Sequence, residues 1–295
     1  MSLAPDAPPS AVPGLRWQAR VLAPWMTDPD ARLVMAAGET ERPLTAAQEA
    51  WLARARAAVA ARPAGVAQDD LIRPLPPEMS GYLARMGRHP ESQWYLSQGF
   101  TPALVDLRRT CAYQSKIYTE HAGQHVADVD VEDVTAMAEV TMPLGTPPVV
   151  APRFDAERQT FVTDLANHNL RIIGAFGGLA EDAPQPGTYN LGFQVRVIAS
   201  FVQVVSVQGR WFIRDGYHRS VGLLQRGARY VPVLVKEELG LGDLAVPGML
   251  PFESYLGERP PLLPDFLDSG VSCAVALTAA RRVVVVQASE VSISG

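Results

Sequence analysis

The stretch RWFIRDGYHRSVGLLQRGARYVPVLV, residues 210 to 235, constrains the fold more than any other part of the chain. Residues 211 to 214 read as the end of a strand, and Asp215-Gly216 permits a sharp reversal of the backbone. Val221, Leu223 and Leu224 then fall at helical spacing until Gly227 ends the helix, and YVPVLV begins a further strand. The local architecture is strand, glycine turn, helix, strand. At such a turn the N–H groups of the first helical turn have no intrahelical acceptor, and the positive end of the helix dipole points the same way. His218, Arg219 and Ser220 add three donor side chains where acids are the usual choice, so the stretch predicts a bound phosphate or carboxylate. The competing reading pairs Arg219 with an acid such as Asp215.

Composition sets the surroundings of this turn. With 295 residues, 47% of them hydrophobic and only 19% charged, the chain can bury a substantial core as one large domain or one domain with an irregular extension. A net charge of −5 argues against nucleic acid as the source of its main affinity, though a local basic patch stays compatible. Cys111 and Cys273 lie far apart without CxxC spacing, so neither a zinc ribbon nor a disulfide framework is indicated and a reducing cytoplasm is the simplest setting. The first residues lack the basic start and apolar core of a signal peptide, and no apolar run reaches the length of a membrane span. The expectation is a cytoplasmic protein with no membrane partner.

Along the chain, residues 1–16 predict a disordered Pro- and Ala-rich tail and 17–100 a helical extension. Its clearest helix lies over 43–62, with Thr45 as N-cap, Gln48 completing a capping box and Pro63 beyond the end. From 101 to 240 the composition turns to strands: extended segments joined by a turn at 155–158, and a hairpin over roughly 193–214 that turns at Gln208-Gly209-Arg210. Residues 241–295 predict a Pro-rich connection and a second hairpin turning at 279–282, packed on the same domain. The fold class is α+β, with helices early and most strands late.

DGYHRSVGLLQRG followed by VPVLV resembles the motif of the ParB and sulfiredoxin-like superfamily, in which a D-G-H-H-R type turn links a strand to a helix and a V-P-V strand follows. The resemblance covers about thirty residues and implies a mixed sheet with a strand-turn-helix phosphate site. It implies that His218 and Arg219 hold nucleotide phosphates, alongside Gly216, Tyr217 and Ser220. A weaker likeness of CAYQSK to the element that opens many of these domains would bring Gln114, with Lys116 or Arg109, to the same pocket. Tyr217 stands where sulfiredoxins carry their reactive cysteine, so sulfinic-acid reduction is not implied. No helix-turn-helix follows, as it does in partitioning proteins. Asp215 matches an acid that ADP-dependent serine kinases use for proton transfer, but only that one acid can be assigned.

The resemblance therefore implies a protein that binds a nucleotide (ATP, ADP or CTP) or another phosphorylated small molecule, as a sensor or regulatory module. The alternative is a phosphotransferase or phosphohydrolase in which Asp215 is the base, His218 and Arg219 stabilise charge, and Mg²⁺ shares the work. A third reading is a nucleic-acid-associated adaptor or nuclease.

The other polar clusters have plainer readings. His121 and His125 would share a helix face as metal ligands do, but Gly123 weakens that helix and no H-E-x-x-H pattern is present, so they read as surface histidines. ANHNL at 166–170 reads as a polar turn, and the acids of VDVEDVTAMAEV as the solvated face of a short helix. Among Trp17, Trp25, Trp94, Tyr95 and Trp211, only Trp211, just before the motif, is a candidate ligand wall. Walker A, G-x-G-x-x-G and G-x-S-x-G motifs are absent.

Overall fold

The structure, a computed structural model, describes residues 16–37, 42–66, 68–146, 149, 151–157, 160–165, 169–179, 185, 188–237, 239–244, 249–278 and 282–287. Strands β1 (Arg16–Val21), β2 (Ile72–Arg73), β3 (Thr101–Asp106) and β4 (Lys116–Tyr118) alternate with helices α1 (Asp28–Met35), α2 (Ala46–Ala60), α3 (Ser80–Met86), α4 (Pro90–Ser97), α5 (Thr119–Gln124) and α6 (Val134–Thr141). There follow β5 (Arg153–Asp155), β6 (Thr160–Leu165), β7 (Leu170–Leu179) and β8 (Tyr189–Val197). The chain continues with β9 (Gln203–Val207), β10 (Arg210–Asp215), α7 (Tyr217–Gln225), β11 (Tyr230–Lys236), α8 (Phe252–Tyr255), β12 (Cys273–Thr278) and β13 (Arg282–Gln287). The protein is mixed α+β. Among the described residues, no helix is long and apolar enough to cross a membrane.

The chain divides into two compact units, one drawn from Leu15–Leu144 and Ser200–Thr278, the other from Gly145–Ala199 and Ala279–Gly295. The first holds a mixed sheet in the order β10-β9-β11-β3-β2, with β11 parallel to β9 and antiparallel to β3. Its central strands read as unbroken apolar runs because both faces are covered: Val204, Val205, Val231, Val233 and Leu234 are all fully buried. Helix α6 lies against β11, and α7 packs on α5. A second sheet, β12-β1-β4, completes the unit. Helix α2 starts as its sequence predicts: the Thr45 hydroxyl accepts from the Gln48 N–H, and Gln48 Oε1 accepts from the Thr45 N–H at 2.9 Å.

Local turns agree with the sequence, whereas several strand partners do not. Gln208 and Gly209 both have positive φ, 52° and 73°, as a two-residue hairpin turn between β9 and β10 requires. The hairpin expected over 193–214, however, is two pieces. Strand β8 pairs with β7, from Leu179↔Tyr189 to Leu170↔Val197, and only β9 and β10 form the hairpin. The C-terminal hairpin is corrected too, because β12 pairs with β1 while β13 pairs with β6. Core membership explains the separation: Val275 and Leu277 pack with Ala19, Val21, Met35 and Leu52, but Val284 packs with Leu170 and Val197. Residues 279–281, within the expected turn, lie outside the described residues, as do residues 1–15 of the expected tail and 166–168 of the polar turn.

The helical extension expected over 17–100 also supplies strands. β1 is the middle strand of its sheet, and β2 pairs with β3 at Ile72↔Val105 and Arg73↔Leu104, so no sheet boundary falls at residue 100. In the second unit, β5 and β6, extended segments on either side of the turn expected at 155–158, pair antiparallel, and β6 also pairs with β13; residues 158–159 lie outside the described residues. Cross-strand register puts Leu179, Tyr189, Leu191 and Phe193 on one face of the β7–β8 hairpin, each more than half exposed.

Candidate anion site at the start of helix α7

Gly216 is the pivot of the motif. Its φ is +90°, and a Cβ there would stand 2.5 Å from Val202 Cγ2, so both the backbone conformation and the space demand glycine. Helix α7 begins on the next residue with no side-chain cap and no acid in its first turn. A second glycine places the neighbouring helix. A Cβ on Gly222 would come 2.2 Å from the Ala122 carbonyl oxygen, so its absence lets α5 lie directly on α7. The close approach carries His121 to the helix start, where its ring centroid is 5.5 Å from that of His218.

Each motif residue has a defined partner or position. Asp215 Oδ1 accepts from the Gly216 N–H at 2.6 Å, and Oδ2 accepts from the Ser200 hydroxyl at 3.0 Å. The Tyr217 side chain is 3% exposed, and its hydroxyl accepts from the backbone N–H groups of Tyr113 and Gln114 at 2.9 and 3.2 Å. Burial drives its phenol well above the usual tyrosine range. Tyr217 thus ties the 113–114 segment to α7. Gln114 reaches the motif through its backbone, while its side-chain amide donates to the Lys116 carbonyl at 2.6 Å.

His218 Nε2 accepts from the Tyr118 N–H at 3.0 Å, which makes Nδ1 the protonated nitrogen of the neutral ring, and the ring stacks on Tyr118 with an interplanar angle of 6°. Arg219 donates from Nη1 to the carbonyls of Ser200 and Val140 at 2.6 and 3.0 Å, and from Nη2 to the Ser200 hydroxyl at 2.8 Å. Burial lowers its pKa, with the charge of Asp215 opposing the shift. No carboxylate reaches salt-bridge distance of Arg219 among the described residues, so the direct Asp215 pair considered from sequence is replaced by a link through Ser200. Ser220 is fully buried and its N–H donates to the Gly216 carbonyl at 3.0 Å. Its hydroxyl has no hydrogen-bond partner among the described residues.

The imidazoles beside this turn were the feature least legible in sequence. His121 is half-buried, with its ring centroid 4.2 Å from Trp17 and 6.0 Å from His125, which is exposed. Desolvation by the neighbouring side chains lowers the pKa of both, and the charge of Arg219 lowers His125 further. The spacing His121 to His125 was the available signal, but only the Gly222 contact aims the pair at α7. Among the described residues, no group of three or more His, Cys, Asp or Glu side chains could hold a metal ion.

Arg109 does not join this turn: it donates to the Asp69 carbonyl at 2.6 Å and lies beside Asp106. Trp211 lines a cavity of about 480 Å³ together with Gln68, Asp70 and Arg73. A second cavity, of about 330 Å³, is bordered by Arg20, Gln48, Trp51 and Cys273. Neither is lined by residues 215–220. Compared with family models, curated proteins and solved structures, the chain matches none, and the likeness to ParB and sulfiredoxin-like proteins stands on the motif residues alone.

Proposed function

We propose that the chain is a ParB/sulfiredoxin-like sensor or regulatory module that binds a nucleotide or another phosphorylated small molecule at the start of α7. The observation that supports this reading is the partly buried Arg219 cation, held by neutral oxygens and facing Asp215 through a hydroxyl among the described residues. A partly buried guanidinium with no direct counter-ion among the described residues is costly, and an anion at the adjoining helix terminus would offset that cost. Arg219 then acts by setting the local potential. The contacting donors are the first-turn N–H groups of α7 and the imidazoles of His121 and His218. ATP, ADP and CTP are the proposed ligands, with Mg²⁺ able to accompany their phosphates.

A reducing cytoplasm is the proposed setting. Cys111 and Cys273 are free thiols, and burial pushes the first up to about 12 and the second up to about 11, so both are poor nucleophiles.

The test is thermal unfolding with ADP, ATP, CTP and pyrophosphate, each with and without Mg²⁺. A ligand at 100 times its Kd should stabilise the protein by about 2.7 kcal/mol. His121→Ala and His218→Ala should each weaken the shift without abolishing folding. A panel that leaves the midpoint unmoved overturns the proposal.

A further inference from the structure

At the opposite end of α7, one buried carboxylate organises a cluster of guanidinium groups. Asp106 closes β3 with its side chain only 1% exposed. Its Oδ1 accepts from the Arg108 N–H at 3.1 Å and from Arg108 Nε at 3.4 Å. Its Oδ2 accepts from Arg229 Nε at 2.9 Å and lies 3.5 Å from Arg109 Nε. Arg73, on the edge strand, places its guanidinium 4.1 Å from the Tyr230 ring centre, and Arg229 sits 5.0 Å from the same ring. Burial alone would raise the Asp106 carboxyl, but the hydrogen bonds from Arg229 and Arg108 more than offset it and hold the group ionised below the usual range.

Three guanidinium groups, those of Arg108, Arg109 and Arg229, share this one carboxylate, and Arg73 joins them only through the Tyr230 ring. The nearby Asp69 and Asp70 form no ion pair with them among the described residues. Arg108 and Arg229 are anchored through Nε, their Nη groups make no hydrogen bond among the described residues, and both side chains are about half exposed. A fork oriented in this way is suited to paired phosphate oxygens. Arg73 borders the cavity of about 480 Å³, and beside it the Arg108, Arg109 and Arg229 side chains are 49%, 29% and 51% exposed. An open row of oriented arginines fits a ligand that presents phosphates in series.

We infer that this face binds the phosphodiester backbone of nucleic acid, without base recognition. Net charge does not oppose this, because the binding depends on local charge. The site is separate from the start of α7, since the nine-residue helix between them spans about 13 Å.

The test is fluorescence polarisation of labelled single-stranded and duplex oligonucleotides with the full chain across a salt series. Binding should be saturable at low salt and should weaken linearly in log–log form. Arg73→Ala should reduce the slope by about one. Arg108→Gln with Arg229→Gln should cost roughly tenfold or more in affinity across all sequences. If that double variant fails to fold, Arg73→Ala decides, because Arg73 makes no contact with Asp106. Absence of binding at low salt, unchanged binding by the variants, or equal competition by inorganic pyrophosphate would each overturn the inference.

Discussion

The Ser200 hydroxyl stands between Asp215 and Arg219, donating to the carboxylate at 3.0 Å and accepting from the guanidinium at 2.8 Å. This relay joins the end of β10 to the first turn of α7 and settles where the only acid of the motif points. Ser200→Ala should remove an acceptor from a partly buried cation and cost about 1–3 kcal/mol of stability, read by urea denaturation. Asp215→Asn should cost a similar amount, and the two losses should fall short of additive in a double-mutant cycle. Independent, additive losses would show that no relay operates.

Tyr217→Phe keeps the ring packing against Tyr113 and Phe266 but deletes the oxygen that accepts from two backbone N–H groups. The expected cost is about 1–3 kcal/mol per buried donor left without a partner, reduced wherever water enters. Hydrogen exchange should report the change first at the Tyr113 and Gln114 amides. Unchanged protection there would argue that the phenol only fills space.

Gly222→Ala places a methyl group where the Ala122 carbonyl and Val126 already sit. Overpacking of this kind costs about 1–3 kcal/mol. Displacement of α5 should also separate His121 from His218 and weaken ligand binding beyond the loss of stability. A variant with a lower melting midpoint but wild-type affinity would detach the histidines from the ligand.

The histidines give a pH dependence with a definite sign. Both His121 and His125 have folded-state pKa values lowered from 6.5, so the unfolded chain binds more protons below that pH. Stability is therefore present above pH 6.5 and is lost as pH falls from there through the folded values. A bound phosphate favours the charged imidazoles, so affinity should rise as pH falls through the same window. Calorimetry in buffers of different ionisation enthalpy should show proton uptake on binding, and proton release would contradict the assignment.

Arg219 shows where sequence reading stops. Its place in the first turn of a helix after Asp-Gly is a local property, legible from spacing and glycine chemistry. Its acceptors, the Val140 carbonyl and Ser200, are 79 and 19 residues away and carry no pattern that announces them. The same divide separates Asp106 from Arg229, 123 residues apart in sequence and 2.9 Å apart in space. Arg109 was, with Lys116, one of two alternatives that the resemblance implied for the motif pocket, and it belongs to this second cluster.

By itself, the sequence determined the elements whose forces act within a few residues: the capping box of α2, the positive-φ turn at Gln208-Gly209, and the strand, glycine turn, helix and strand from 210 to 236. Only the tertiary structure decided that β8 pairs with β7, that β12 and β13 part company, and that His121 meets His218. An apolar alternation identifies a strand but is satisfied by any edge of matching register, so the partner is chosen by which core can close around it.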